Sequence, residues 1–299
     1  MSKVITVFGA TGSQGGSVLR ALVNSDKFHI RAITRNAKSD KAKHLAELKN
    51  VTVQEADLNN RASLDKSLKG SYGVFLVTDL AIDPKAPSES QQGINLIDSS
   101  IKNKVSHLVF SGLENIKTVI GKPCLHFDNK EMIESYGMMH RDKLNFTSIR
   151  MPAFYQVLTT MMLKQVKPNE FISTLPMSDK PMYAMNVEDL GACVSSIFNQ
   201  PNEFKSKIVE VAGDHLKGAD YVDLMNKHLK PNKFAYANIS LPTFASWGLE
   251  EFAHMFEYYQ TGKMTRDLNL TKKLNPNTLT FNDWLAKNKE SILKGLPKA

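Results

Sequence analysis

Short runs of apolar and β-branched residues recur through the first half of the chain: VITVFGA, IRAITR, VTVQEAD, GVFLVTD and HLVFSGL. Between them, apolar residues return every three or four positions, as in SVLRALVNS, KAKHLAELKN and GINLIDSSIKNK. The first pattern predicts strands buried on both faces and the second predicts amphipathic helices. Regular alternation of the two predicts a parallel sheet with helices on both sides. FTSIRMP adds a strand, and KIVEVAG adds another after a helix expected to start near Val187 with Asn186 as its N-cap. The fold class expected is α/β, a Rossmann-type doubly wound parallel sheet built by residues 1–152 and completed by 184–213.

Residues 153–183 and 214–299 lose the alternation and are richer in Pro, Met and aromatic side chains, which predicts a smaller, mostly helical C-terminal lobe. Within it, FASWGLEEFAHMFEYYQ reads as one amphipathic helix facing the lobe's core, its surplus aromatics leaving a partner surface open. LAIDPKAPSESQQG, residues 80–93, reads as a long polar loop before a helix, and loops of that length are often functional. It is expected to become more ordered when a ligand binds at the strand ends.

Composition narrows the function classes. A chain of 299 residues with 42% hydrophobic content forms one large domain or two unequal ones. No apolar run approaches the ~18 residues of a membrane span, and MSKVITVFG carries no secretory signature. Two cysteines, Cys124 and Cys193, suggest a reducing compartment, the cytoplasm, with the nucleus also open. The net charge of +8 comes from scattered lysines, many beside acids, with no basic tract interleaved with aromatics. A solvated basic surface that also serves a small anion is expected, rather than direct nucleic-acid binding.

The strongest motif is VITVFGATGSQGG. Gly9, Gly12 and Gly15 stand between a strand and a helix, with Ala10, Thr11, Ser13 and Gln14 filling the loop. Glycines there allow a tight turn and let backbone N–H groups approach a pyrophosphate at the helix N-terminus. An NAD site usually places an acid at the end of the second strand. Here that position is Arg35, followed by Lys38, and a guanidinium can bind a 2′-phosphate bidentately. The expected cofactor is therefore NADP(H). Asp57 and Leu58, after the third strand, would flank the adenine, and Val77, Thr78 and Asp79, after the fourth, would run beside the nicotinamide ribose.

Carbonyl reduction needs a hydride donor, a group polarising the oxygen and an acid to protonate it. Ser111 could hydrogen-bond the oxygen or could be a local cap. In HFDNK, His126 and Lys130 share a helix face at the spacing that holds a Tyr and a Lys in many nucleotide-dependent reductases. Neutral imidazole is a poor acid, so His126 is expected to orient or contact a ligand, whereas Lys130 can bind ribose hydroxyls without any acid. HExxH, CxxC and GxSxG are absent, so no metal site is expected. The Met138–Met139 and Met161–Met162 pairs read as packing, the second near enough to line a pocket.

Taken together, VFGATGSQGGSV, AITRNAK, SGLENI, HFDNK, SIRMPAFYQ and NPNTLTFNDWL resemble the NmrA-like family, an atypical branch of the short-chain dehydrogenase/reductases, in order along nearly the whole chain. The likeness is greatest to its animal-type NADPH-sensor branch. The resemblance implies a Rossmann domain, NADP(H) preference and, in the sensor branch, a regulatory role rather than demonstrated turnover. It also implies that Gly9 to Gly15 hold the phosphates, Arg35 the 2′-phosphate and Lys130 the nicotinamide ribose. Phe154, Tyr155 and Gln156 would line the nicotinamide end, although Gln156 and Val157 replace the branch's Glu-Asn. The expected function is an NADP(H)-binding redox sensor with protein partners, the alternative a low-turnover reductase of small apolar quinones or enones. A homodimer is compatible with either.

Overall fold

The computed structural model describes residues 2–25, 27–79 and 89–298. Its first elements are β1 (Lys3–Val7), α1 (Ser13–Asn24), β2 (Phe28–Thr34), α2 (Asp40–Ala46), β3 (Val51–Glu55) and α3 (Arg61–Ser67). They continue as β4 (Gly73–Leu76), α4 (Glu89–Lys102), β5 (His107–Gly112), α5 (Lys117–Ile120), α6 (Leu125–Met139) and β6 (Phe146–Arg150). With the later strand Ile208–Glu210, the six strands form one seven-stranded sheet. Its order is Ile208–Glu210, β6, β5, β4, β1, β2, β3, and the pairs among β1 to β6 are all parallel.

The physical reason is in the burial. Every residue of β4 and of β5 is buried, as strands covered on both faces must be. The chain runs outward from β1 to β3, then back past β1 to β4 and outward again. The order therefore reverses between β1 and β4, where α/β sheets of this kind leave a crevice at the carboxyl ends of the strands. On one face α1 packs against the helix Asp189–Asn199 so closely that a Cβ on Gly191 would overlap the Ser17 backbone. Ser17 Oγ donates to Glu188 O and accepts from Gly191 N, both at 2.8 Å.

The chain divides into two compact units, one of Met1–Glu114, His126–Met151 and Glu188–Val209, the other of Asn115–Leu125, Pro152–Val187 and Glu210–Ala299. The segment 115–125 thus joins the second unit, whereas the hydrophobic pattern alone keeps it with the first. Helices predominate in the second unit, alongside two three-stranded sheets whose strands are only two to five residues long. Its aromatic core brings Tyr155, Tyr221 and Trp284 around Phe281 at centroid distances of 4.9–5.7 Å.

Three local expectations change. Of the loop expected over residues 80–93, positions 80–88 lie outside the described residues, and Glu89 to Gly93 are already helical. The helix after Val187 starts at Asp189 with Glu188 at its N-cap; the Asn186 side chain instead accepts from Gln156 Nε2 at 2.7 Å. The segment 244–260 is not one regular helix, because Gly248 at φ +79° breaks it before Glu250–Gln260. Phe256, Tyr258 and Tyr259 are buried as a core-facing stripe requires, while Trp247 stays half exposed.

Candidate functional site

The strand-end site residues of the first unit lie at the carboxyl ends of β1 to β5. After β1 the chain turns through Gly9, whose φ of +67° favours glycine and where a Cβ would come within 2.7 Å of Val77 Cγ1. Gly12 N–H donates to Gly9 O at 2.9 Å, closing the turn. A Cβ on Gly15 would run into the backbone of Phe8 and Gly9, so the close approach of α1 to the loop requires glycine there. Ala10 is buried and Thr11 half-buried, while Gly9, Gly12 and Ser13 are exposed. Gly12 caps α1 without a side chain, and no acid sits in the first turn. The positive end of that helix is thus an open cradle for an anion.

On the β2 side, Arg35 and Lys38 are exposed in a turn fixed from within. Asn36 Oδ1 accepts from Lys38 N at 2.9 Å and Glu55 Oε1 accepts from Ala37 N at 2.9 Å. Arg35 Nη2 lies 3.7 Å from Asp79 Oδ2, a pair that reaches across the end of β1 with both side chains nearly four-fifths exposed. Asp57 caps the start of the next turn through Asn59 N at 2.9 Å, and Leu58 gives its carbonyl to Asn95 Nδ2 at 3.1 Å. Both are half-buried.

On the β4 and β5 side a buried network replaces an open acid. Lys130 Nζ, brought in by α6, lies 3.0 Å from Glu89 Oε1, 3.1 Å from Thr78 Oγ1 and 3.4 Å from Ser111 O. Thr78 Oγ1 donates to Glu89 Oε1 at 2.6 Å. Sequence reasoning missed Glu89, because it falls in a polar, proline-containing stretch read as loop; a carboxylate just upstream of an amphipathic pattern was the available signal. Ser111 needs correction as an oxygen-polarising group. Its hydroxyl proton goes to Gln14 Oε1 at 2.6 Å and its residue is 2% exposed, so it ties β5 to the glycine loop. His126 is half-buried beside the Phe127 ring, centroids 4.9 Å apart.

Phe154, Tyr155 and Gln156 belong to the second unit. Phe154 is half-buried, but Tyr155 is fully buried, with its hydroxyl 3.2 Å from Asp214 Oδ2 and its ring against Phe281 and Trp284. A side chain with no exposed surface packs a core and lines no pocket, so that expectation fails for Tyr155. Gln156 spends its amide on Asn186 Oδ1 and Val187 N. Met139 and Met161, expected to pack, are each 74% exposed.

The sequence matches the NmrA-like family over residues 1–285. It is 28% identical over 236 residues to an NmrA-like family domain-containing oxidoreductase of Aspergillus hancockii, covering 72% of this chain and 69% of that one. The fold matches NmrA, a negative transcriptional regulator solved in complex with NADP, at TM-score 0.80 and 19% identity over 98% of this chain and 97% of that one. It also matches an Escherichia coli NADPH-dependent quinone oxidoreductase complexed with NADPH, at TM-score 0.76 and 22% identity over 95% and 98% of the two chains. No helix among the described residues is long and apolar enough to cross a membrane.

Proposed function

The chain belongs to the NmrA-like family, and from that premise we propose that it binds NADP(H) in preference to NAD(H) and acts as a sensor of cofactor occupancy. The observation carrying the preference is Arg35, an exposed guanidinium at the end of β2 in the place of an acid. The residues fit the cofactor. The glycine cradle accepts no Cβ at Gly15, and α1 opens without a side-chain cap. When bound, the cofactor supplies a hydride donor. Around it the chain's groups bind and orient: backbone N–H groups of the loop take the phosphates, Arg35 and Lys38 the 2′-phosphate, and Lys130 ribose oxygens. The sensor reading is supported by the proton bookkeeping at the β5 end, where the Ser111 proton is committed to Gln14 and Lys130 is held by Glu89. His126 stands where a tyrosine would donate.

The second reading is a low-turnover NADPH-dependent reductase of quinones or enones, with protonation from water. It is favoured by the oxidoreductase name of the Aspergillus relative and by the quinone oxidoreductase that shares the fold. In both readings the first unit is the cofactor domain and the second the substrate or partner lobe, with cofactor-dependent contacts to protein partners, a homodimer among them, in the cytoplasm or nucleus. Calorimetric titration with NADPH, NADP, NADH and NAD, followed by NADPH oxidation against a panel of quinones and enones, tests both. Equal affinity for NAD and NADP removes the preference; sustained turnover on the panel replaces the sensor by the reductase.

A further inference from the structure

The second unit holds a cavity of about 100 Å³ beside the paired strands Pro181–Met185 and Asp214–Lys217. Tyr183 and His215 stand opposite each other across those strands, so their side chains leave the same face of the sheet. Their rings stack at a centroid distance of 3.8 Å and an interplanar angle of 4°, which makes one flat wall. Tyr259 and Met264, each 7% exposed, supply an apolar wall from the end of the helix Glu250–Gln260 and the turn after it. Lys180, His215 and Gly262 are exposed and open the cavity to solvent on one side. The Lys180 ammonium, the Tyr183 hydroxyl and the His215 ring nitrogens have no hydrogen-bond partner among the described residues. An apolar pocket on which a few uncommitted polar groups converge is the usual make-up of a small-molecule site. We propose that this cavity binds a monocyclic aromatic carboxylate, its ring against the Tyr183–His215 pair and Met264, its carboxylate on Lys180 and the Tyr183 hydroxyl.

The ligand's chemistry follows from size, charge and shape. An enclosed apolar cavity of roughly 150 Å³ takes benzene, so a smaller one open on one side accommodates a single ring and leaves its substituent at the mouth. The charge at the mouth is that of Lys180, which calls for an anion. Partial burial pushes the His215 imidazole below its ordinary value of 6.5. It is therefore neutral at pH 7 and adds one donor and one acceptor rather than a second cation. Phenol and neutral imidazole rings suit a flat ring better than a puckered one, and the Met264 thioether makes favourable contact with aromatic rings. The walls are fixed before any ligand arrives. Gln260 Nε2 donates to Pro176 O at 2.6 Å, tying the end of the helix to the segment that leads to Lys180. The Tyr236 hydroxyl lies 3.1 Å from both Leu175 O and Ser178 O, and Lys180 N donates to Met177 O at 3.0 Å. Gly262, at φ +67°, has nothing within 4 Å of the place a Cβ would take, which keeps the mouth clear on its side. None of these residues is a cofactor-binding residue, so the site stands independently of NADP(H) binding.

The test is a saturation-transfer NMR titration of the full chain with benzoate, with and without saturating NADPH. Benzoate is expected to bind in both cases. It should bind more tightly than cyclohexanecarboxylate, which keeps the charge and loses the flat ring, or benzyl alcohol, which keeps the ring and loses the charge. Lys180→Met is expected to weaken benzoate about fivefold, the upper range for an ion pair open to water, and to leave benzyl alcohol unchanged. Tyr183→Leu keeps an apolar side chain but removes the flat ring and the hydroxyl, and is expected to weaken benzoate about tenfold. Should Tyr183→Leu fail to fold, His215→Ala, at an exposed position, removes the other half of the wall and is expected to weaken benzoate as well. Absence of benzoate binding, equal affinity for cyclohexanecarboxylate, affinity unchanged in Lys180→Met, or binding lost on adding NADPH overturns the proposal.

Discussion

The Ser111 hydroxyl donates to Gln14 Oε1 at 2.6 Å, joining the end of β5 to the first turn of α1 across 97 positions of sequence. The bond spans β4 and β1 and so braces the edge on which the glycine loop sits. Ser111→Ala is expected to cost about 1 kcal/mol of stability, the ordinary net worth of such a bond. Cofactor affinity should fall only through the loosened loop. Thermal melting with and without NADPH measures both, and a loss of turnover with unchanged stability would return Ser111 to the chemistry.

Arg35 faces Asp79 at 3.7 Å, and both are exposed, so the pair itself contributes little, about 0–1 kcal/mol. A 2′-phosphate would compete with Asp79 for the guanidinium. Arg35→Ala should therefore remove ~1.5–3 kcal/mol of the preference for NADP over NAD. Asp79→Asn should raise NADP affinity, most at low salt, and leave NAD nearly unchanged. Titrations at two ionic strengths decide it; a weakened NADP affinity in Asp79→Asn would mean that Asp79 helps to hold the cofactor.

Gly15 and Gly295 make opposite cases. A Cβ on Gly15 meets the Phe8 and Gly9 backbone, which cannot yield without moving the loop, whereas a Cβ on Gly295 meets nothing within 4 Å. Gly15→Ala is expected to destabilise by on the order of 3 kcal/mol and to abolish dinucleotide binding. Gly295→Ala, at the end of the helix Phe281–Gly295, should be neutral or stabilise by up to ~1 kcal/mol. Urea unfolding of the two variants provides the comparison.

Much of this arrangement is readable from the sequence, and its limits are physical. The glycine loop, the strand before it and Arg35 after β2 are local features: the spacing that builds them is printed in consecutive residues. Glu89 is legible only once Lys130 and Thr78 are seen around it, because a carboxylate's role depends on its non-local partners. Tyr155 looks like a pocket residue until the C-terminal helix lays Phe281 and Trp284 on its ring. Asn186 has the chemistry of an N-cap and spends it on Gln156. The short strands of the second unit carry too few residues for a period of two to register.

Burial holds the His107 imidazole down at about 4. It sits in β5, fully buried, with Nε2 2.8 Å from Thr147 Oγ1. Thr147 gives its own proton to Phe204 O at 2.7 Å, so His107 must donate through Nε2 and keep Nδ1 unprotonated. The unfolded chain takes up a proton near pH 6.5 that the folded chain resists until about 4. Stability from this residue is therefore complete above pH 6.5 and lost as pH falls towards 4, about 3 kcal/mol in all. His107→Asn, which retains an N–H donor but does not titrate, should flatten unfolding midpoints across that window. An unchanged slope would place the acid sensitivity elsewhere.

Lys130 and His126 lie on the same helix, α6, and separate the two functional readings. Lys130→Ala removes the cation facing Glu89 and leaves a buried carboxylate uncompensated, a loss on the order of 3–5 kcal/mol in stability. On the proposed reading it also deletes a donor to the cofactor, so NADPH binding should weaken together with the melting temperature. His126→Ala should leave NADPH affinity nearly intact, since the half-buried imidazole is not needed to hold a ribose. Restoring a tyrosine, His126→Tyr, should give activity only where a substrate already docks beside the nicotinamide. Steady-state NADPH oxidation on the quinone and enone panel is the measurement. Turnover above ~1 s⁻¹, the low end of ordinary enzymes, that collapses in His126→Ala would make His126 a working proton donor and the protein a reductase. Absent turnover with intact, Arg35-dependent NADPH binding is the result the sensor reading expects.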